Sequence, residues 1–384
     1  MITMPVLKPN CPYFGSGPTT KPSHWHVEHL QTALVGRSHR SLEGKAKLYE
    51  LIQRSRQILK IPDDYRLGII PGSATGAVEC ALWSLLGPRG IDVISFDVFG
   101  KLWGMDIIEQ LKLGDVQSLT ANFGEIPDLK AHHPERDLVF TWNGTTSGAC
   151  IPNADWISEN RSGLTICDAT SAAFCFDLPW SKLDVTAYSW QKGLGGEAAH
   201  GVLILSPRAV ERLVTYQPYW PIPRLFRLTK NGQLMEGIFK GETINTPSML
   251  CVEDYLGILG WSQAIGGLKT LIQRCQNNYT LLKEWVEKTD WVQFMTLKDE
   301  IRSPVSVCLT VPLLKDLPPA QQWDFLRSMA NLLRQEKAAL DIVNHMHAPP
   351  SLRIWCGPTV EENDLKLALP WFEWAYHHTK KHFF

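Results

Sequence analysis

No stretch of this chain approaches the ~18 consecutive apolar residues that a transmembrane helix needs, so no membrane span is expected. Charge of one sign is not in excess either. Lys and Arg number 38 against 39 Asp and Glu, a formal net charge of −1, which leaves no electrostatic footprint for nucleic acid or an anionic membrane. Cysteine pairing is missing as well. The nine cysteines show no CxxC pair and no regular spacing, which argues against a disulfide framework and for a reducing compartment; no metal site is expected. The opening MITMPVLKPNCPYF lacks a charged region followed by an apolar one, so no signal peptide is expected and the location implied is cytoplasmic. Internal repeats and low-complexity segments are absent too. What remains is an ordinary globular composition, 44% hydrophobic and 20% charged, in 384 residues, long enough for a large core and two domains. Fifteen tryptophans is a high count, read as core or interface apart from Trp103 below.

Along the chain, apolar runs of strand length alternate with helical patterns. The first twenty residues, rich in Pro and Gly, are expected to be extended. Leu42–Leu59 reads as an amphipathic helix and 65–71 (YRLGIIP) as a strand. GSATGAVECALWSLLG reads as a turn opening a helix that ends at Gly87, IDVISFDVFG as a strand ending in a turn, and MDIIEQLKL as a helix. DLVFTWNGTTSG, LTICDAT, LDVTAYSWQKGLGG and HGVLILSP each begin with, or are, a strand. This alternation predicts an α/β fold: a large domain with a mostly parallel sheet flanked by helices, and functional loops at the strands' carboxyl ends. After Pro247 the pattern changes. A long helical stretch from Met249 to about Val286, irregular at Gly266–Gly267, precedes the strands SPVSVCLTVPL and SLRIWCG, a helix over 321–337 and a final helix over 361–380. This predicts a smaller α+β C-terminal domain. The expected divisions are 1–16 as an extended segment, 17–265 as the large domain and 266–384 as the small one. HHTKKHFF at the end reads as a frayed, basic terminus.

Lys192, in SWQKGLGGEAAHG, and Asp168, ending the strand in GLTICDATSAAF, are the most informative pair. A lysine in a glycine turn after a strand can form a Schiff base with the aldehyde of pyridoxal phosphate. An aspartate ending a neighbouring strand can pair with the pyridine nitrogen and keep it protonated. Other features are ambiguous one at a time. GSATG at 72–76 opens a helix and is either an anion cradle or an ordinary helix start. Trp103, following a strand by a short loop, either stacks on a flat ring or packs in the core. Thr145 and Thr146, in WNGTTSG, contact a ligand or simply form a turn. His39 and Arg40 in SHRSLEGK can grip an anion or join a surface salt bridge. Arg353 in SLRIWCGP, between apolar neighbours, needs an anionic partner, which a ligand or the protein can supply.

Taken together and in order, YFGSGPTTKP, SHRSLEGK, SWQK, GETINTPSM and SLRIWCG resemble the motifs of the phosphoserine aminotransferase family, class V enzymes of fold type I that use pyridoxal phosphate. The resemblance covers essentially the whole chain. It implies Lys192 as the Schiff-base lysine, Asp168 as the pyridinium partner, Trp103 stacked on the ring and Thr145 near its oxygen substituent. Ala74, Thr75 and Gln191 would contact the cofactor phosphate, and Asn245 and Thr246 would reach it from the other subunit of a homodimer. Arg353 would take the substrate α-carboxylate. His39 and Arg40 would take its distal phosphate or carboxylate, from the partner subunit. One departure stands out: Thr75 occupies a position where many members carry an arginine, and His345 or His347 are candidates to compensate. The implied activity is transfer of the amino group between glutamate and 3-phosphohydroxypyruvate, giving O-phosphoserine and 2-oxoglutarate in serine biosynthesis. Action on 3-hydroxy-2-oxo-4-phosphonooxybutanoate in vitamin B6 biosynthesis is implied too. The partners expected are small anionic substrates and a second copy of the chain, not nucleic acid or membrane. The rivals are an alanine–glyoxylate or serine–pyruvate aminotransferase, which would not need the His39–Arg40 grip, and a cysteine desulfurase using Cys356.

Overall fold

A computed structural model describes residues 3–384. Seven strands form the main sheet: β1 (Arg66–Pro71), β2 (Ile91–Ser95), β3 (Val116–Thr120), β4 (Asp137–Thr141), β5 (Thr165–Asp168), β6 (Val185–Ser189) and β7 (His200–Leu205). Their order is β1-β7-β6-β5-β4-β2-β3. β2 through β6 run parallel, and β7 lies antiparallel to both β6 and β1. The expected mostly parallel sheet is therefore present, with β7 the reversed strand.

The interior strands are apolar on both sides because both faces are covered. Ile94, Phe140, Cys167 and Tyr188 point into one core, while their neighbours Val93, Val139, Ile166 and Ala187 point into the other. That period of two is the pleat read directly from the packing. Helices α1 (Leu42–Leu59) and α5 (Met249–Ala264) contribute to the first core. Helices α2 (Ser73–Leu85), α3 (Val98–Met105) and α4 (Pro207–Thr215) contribute to the second. Ser41 caps α1 by accepting from Gly44 N at 3.1 Å, and Ser206 caps α4 by accepting from Ala209 N at 3.2 Å.

Helix α6 (Leu268–Glu287) follows α5 after a break at 265–267, where Gly266 and Gly267 have φ of +110° and +67°. The irregularity expected there is thus a full helix end. The hairpin β8 (Thr229–Lys230) and β9 (Gln233–Leu234) precedes α5 in the chain. A second antiparallel sheet holds β10 (Gln293–Phe294), β11 (Ser306–Thr310) and β12 (Leu352–Trp355). With α7 (Pro319–Gln335) and α8 (Glu362–Phe383) it encloses a separate core around Trp355, Trp371 and Phe325, which also takes Phe14 from the N-terminal segment.

Four expectations need correction. The stretch 98–100, expected as a turn, is the first turn of α3, which carries Trp103, because Gly100 lets that helix pack directly on the end of β2 and on Thr141. The segment expected as a helix over 105–113 is a single wide turn, 106–110. β3 and α4 were not anticipated. The C-terminus is not frayed: α8 runs to Phe383 with Thr379 and Tyr376 buried, since that face closes the separate core around Trp355.

Candidate active site

Asp168 is the last residue of β5 and is buried. One carboxylate oxygen accepts from Trp103 Nε1 at 3.0 Å; the other accepts from the backbone N of Thr170 at 3.0 Å and from its hydroxyl. Burial raises the Asp168 carboxyl above its ordinary range, against the opposing effect of these bonds and of Lys192. Trp103 is thereby oriented by Asp168. Nearby, Asp97 caps α3 by accepting from Gly100 N at 2.8 Å. It is wholly buried, and its other oxygen has no partner. Burial first, then the charge of Asp168, pushes Asp97 up to about 6.

Lys192 follows β6 by three residues. Its amine donates to the Ser16 carbonyl. Burial, reinforced by the positive charge of Arg353, draws the amine down to about 7; Asp168 and Asp97 pull the other way. Gly17 passes directly over the lysine. A Cβ on it would meet the amine nitrogen and lie 2.6 Å from Cε and 2.9 Å from Cδ, so it would displace the lysine's end, and φ of +148° favours glycine as well.

The turn between β1 and α2 forms a second feature. Gly72 and Ser73 both have positive φ, +84° and +60°, at the start of a helix that no side chain caps. Ala74 N is held by the Ser73 hydroxyl at 2.6 Å, and Gln191 Nε2 reaches the same hydroxyl at 3.4 Å. Ala74, Thr75 and Gln191 are thus brought together, and Ser73 joins them. Thr75 is exposed and brings no charge.

Arg353, on β12, is half-buried; its Nε is buried without a partner, and no carboxylate of the described residues pairs with it. It lines a cleft of about 560 Å³ with Ser16, Gly17, Arg334 and Asp341. Thr145 is buried and donates to Ser171 Oγ at 2.8 Å, in a loop tied to the second sheet through Asn344, which donates to the Thr146 carbonyl at 3.0 Å. Asn344 also accepts from His345 N at 2.7 Å, and burial first, then the charges of Arg353, His347 and Lys192, disfavours protonation of that ring. His345 is therefore in the site's field, while His347 is exposed. His39 is buried, Arg40 is exposed without an ion pair among the described residues, and Asn245 and Thr246 are exposed; none of the four hydrogen-bonds to Lys192 or Asp168. Cys356 is fully buried with its thiol pushed up by burial, so it is not a reachable nucleophile.

Five of the buried polar atoms without a partner belong to residues described above or to the Thr145 loop: Ser16 Oγ, Asp97 Oδ2, Asn143 Oδ1, Gln191 Oε1 and Arg353 Nε. Such atoms call for a ligand. Sequence reasoning missed Ser16, Gly17, Ser73, Asp97 and Asn344 as site residues. The Ser-Gly-Pro run, the GSATG turn that holds Ser73 and the aspartate ending IDVISFD carried local hints.

No protein-family model matches the chain. A curated relative, the phosphoserine aminotransferase of Methanosarcina barkeri, is 52% identical over 376 residues, covering 98% of this chain and 100% of that protein. The chain belongs to the phosphoserine aminotransferase family. As a family member it is an aminotransferase. Its fold agrees with solved members at low identity. A phosphoserine aminotransferase from Cytophaga hutchinsonii superposes with a TM-score of 0.80 at 18% identity, covering 95% of this chain and 98% of that one. A pyridoxal-phosphate-bound phosphoserine aminotransferase from Trichomonas vaginalis gives 0.74 at 17%, covering 95% and 100%. The architecture is that of the fold type I aminotransferases.

Proposed function

We propose that this protein uses pyridoxal phosphate to move the amino group between glutamate and 3-phosphohydroxypyruvate, giving O-phosphoserine and 2-oxoglutarate. The observation that carries the reading is the convergence of Lys192, Asp168 and an unpaired Arg353 on one site in a chain 52% identical to a named phosphoserine aminotransferase.

The residues present fit the cofactor. Asp168 offers a buried carboxylate for a pyridinium nitrogen, with Trp103 fixed beside it and Thr145 close by in the adjoining loop. The uncapped start of α2, with Ala74, Thr75 and Gln191, suits a phosphate. Bound there, pyridoxal phosphate supplies a covalent anchor for the amino group and an electron sink for the charge left at Cα. Lys192 Nζ, drawn down to about 7, is neutral often enough near neutral pH to take the Cα proton and return it. Arg353 holds the α-carboxylate by a paired charge-assisted contact.

Asn245, Thr246, His39 and Arg40 act in the neighbouring subunit of a homodimer: the first two at its phosphate cup, the second two at the substrate's distal anion. The exposure of Asn245, Thr246 and Arg40 in the single chain, with Arg40 in no ion pair among the described residues, supports this. A distal anion grip would also accept 3-hydroxy-2-oxo-4-phosphonooxybutanoate, and His345 supplies polarity where Thr75 brings no charge. The division at residues 16 and 265 and a cytoplasmic setting complete the reading.

The test compares amino donors. Arg353→Ala should weaken glutamate, phosphoserine and alanine alike, because each carries an α-carboxylate. Arg40→Ala should lower kcat/KM for phosphoserine and glutamate roughly 30-fold or more, and that for alanine far less. Equal losses for alanine and phosphoserine in Arg40→Ala would make Arg40 structural and favour an alanine–glyoxylate activity.

A further inference from the structure

The N-terminal segment is bound at both ends and touches the lysine in between. On one side it belongs to the second sheet's neighbourhood. Leu340 N donates to the Pro12 carbonyl at 2.7 Å, Trp355 N donates to the Phe14 carbonyl at 2.9 Å, and Phe14 is buried in the core beneath β12. On the other side it is bound to the lysine's own turn. Thr19 N donates to the Gln191 carbonyl at 2.9 Å, and the Thr19 hydroxyl donates to the Lys192 carbonyl. Between these anchors the Ser16 carbonyl accepts from Lys192 Nζ, and Gly17 has no room for a Cβ against the lysine.

We propose that Ser16 and Gly17 are positioning residues for Lys192: the Ser16 carbonyl docks the amine whenever it is not covalently engaged, and Gly17 leaves the space that docking needs. The inference rests on Lys192 being the reactive lysine. A lysine that carries a proton during turnover has a flexible four-carbon stem, and its reach is useful only if the amine returns to one place. A carbonyl accepts from the neutral and from the protonated amine alike, so this docking site serves both states of a proton carrier.

The same segment adds a connection. Trp355, which holds the Phe14 carbonyl, lies two residues along β12 from Arg353. Arg353, Ser16 and Gly17 line one cleft. Arg353 therefore shares β12 with the anchor of the N-terminal segment, and this strap holds the amine. The physical link is continuous: guanidinium, β12 backbone, Phe14, Ser16 carbonyl, Lys192 Nζ.

The decisive variant is Gly17→Ala in the full-length, cofactor-loaded protein. At saturating glutamate the rate of the first half-reaction should fall at least tenfold, while the glutamate concentration for half-saturation stays within about threefold of wild type, since Arg353 is untouched. In cofactor-free protein, labelling of Lys192 by a neutral acylating reagent, read by peptide mass spectrometry across pH, should shift its midpoint upward by about one unit or more as the amine is forced from its buried place. Thr19→Val, which removes the hydroxyl anchor without a clash, should slow the half-reaction about threefold to tenfold in a protein of normal thermal stability. Wild-type rates and an unchanged labelling midpoint in Gly17→Ala would overturn the proposal, as would a wild-type half-reaction in Thr19→Val if Gly17→Ala does not fold. Borohydride reduction of the loaded wild-type protein separates the two layers. If it marks a lysine other than Lys192, the assignment of the reactive lysine fails; if it marks Lys192 while Gly17→Ala behaves as wild type, only the strap fails.

Discussion

Burial and the Arg353 guanidinium both disfavour a charge on Lys192, and Asp168 and Asp97 offset them only in part, so the amine sits near 7. In an unfolded chain the same amine keeps its proton up to about pH 10.4. Between those values the unfolded state binds more protons than the folded one, so this residue's contribution to stability falls as pH drops from about 10.4 to about 7 and levels off below. Lys192→Met should therefore raise the stability of the cofactor-free protein at pH 7 by about 1–3 kcal/mol, with the gain vanishing above pH ~10.5. Melting temperatures of both proteins at pH 7, 9 and 10.5 check this. A less stable Met variant at pH 7 would mean that the Ser16 carbonyl compensates the buried amine fully. Asp97 has the opposite sign: its carboxyl is raised to about 6, so its contribution is present at low pH and is lost as pH rises through that value.

At the scale of elements, the phosphate cup depends on how closely β7 approaches the first turn of α2. Gly201, the second residue of β7, faces that turn; a Cβ there would run into the Ser73 carbonyl oxygen and lie 2.8 Å from Ala77 Cβ. The contact is with backbone, which cannot swing aside as a side chain would. Gly201→Ala should push the start of α2 outward at a cost of about 1–3 kcal/mol in stability. It should weaken retention of pyridoxal phosphate at least tenfold, measured by titrating cofactor-free protein and following the visible absorption. Undiminished retention in a folded variant would place the phosphate elsewhere. The reversed direction of β7 follows from the same arrangement: the chain leaves β6, passes through Lys192, and returns along β6, bringing His200 and Gly201 back to the level of Pro71.

For the whole molecule, the exposure of Asn245, Thr246 and Arg40 is the observation that matters. If these residues complete a neighbour's site, mixing inactive Lys192→Ala chains with inactive Asn245→Ala/Thr246→Ala chains should restore activity, because a mixed dimer holds one site with both defects and one with neither. About a quarter of the wild-type specific activity is expected from random pairing of equal amounts. Mixed dimers that form, as seen by mass, yet remain inactive would mean that each site is built within one chain.

The amino-acid sequence by itself determined the layer architecture and singled out Asp168 and Lys192 as candidates. Apolar runs alternating with helical periods can be satisfied only by a sheet covered on both faces, and Asp168 and Lys192 stand at or just beyond the ends of such runs. The edge strand β3 was not legible, because VQSLT is only half-buried and lacks the apolar run that marks its neighbours. Nor was the helix carrying Trp103, whose two glycines argue locally against helix, although Gly100 lets it pack on β2. Only the tertiary structure placed Ser16 and Gly17 on Lys192, joined Asp97 to the charges around it, and separated His345, in the site's field, from the exposed His347. Those contacts link residues far apart in the chain, and such a contact leaves no period, cap or turn signal in the sequence on either side of it.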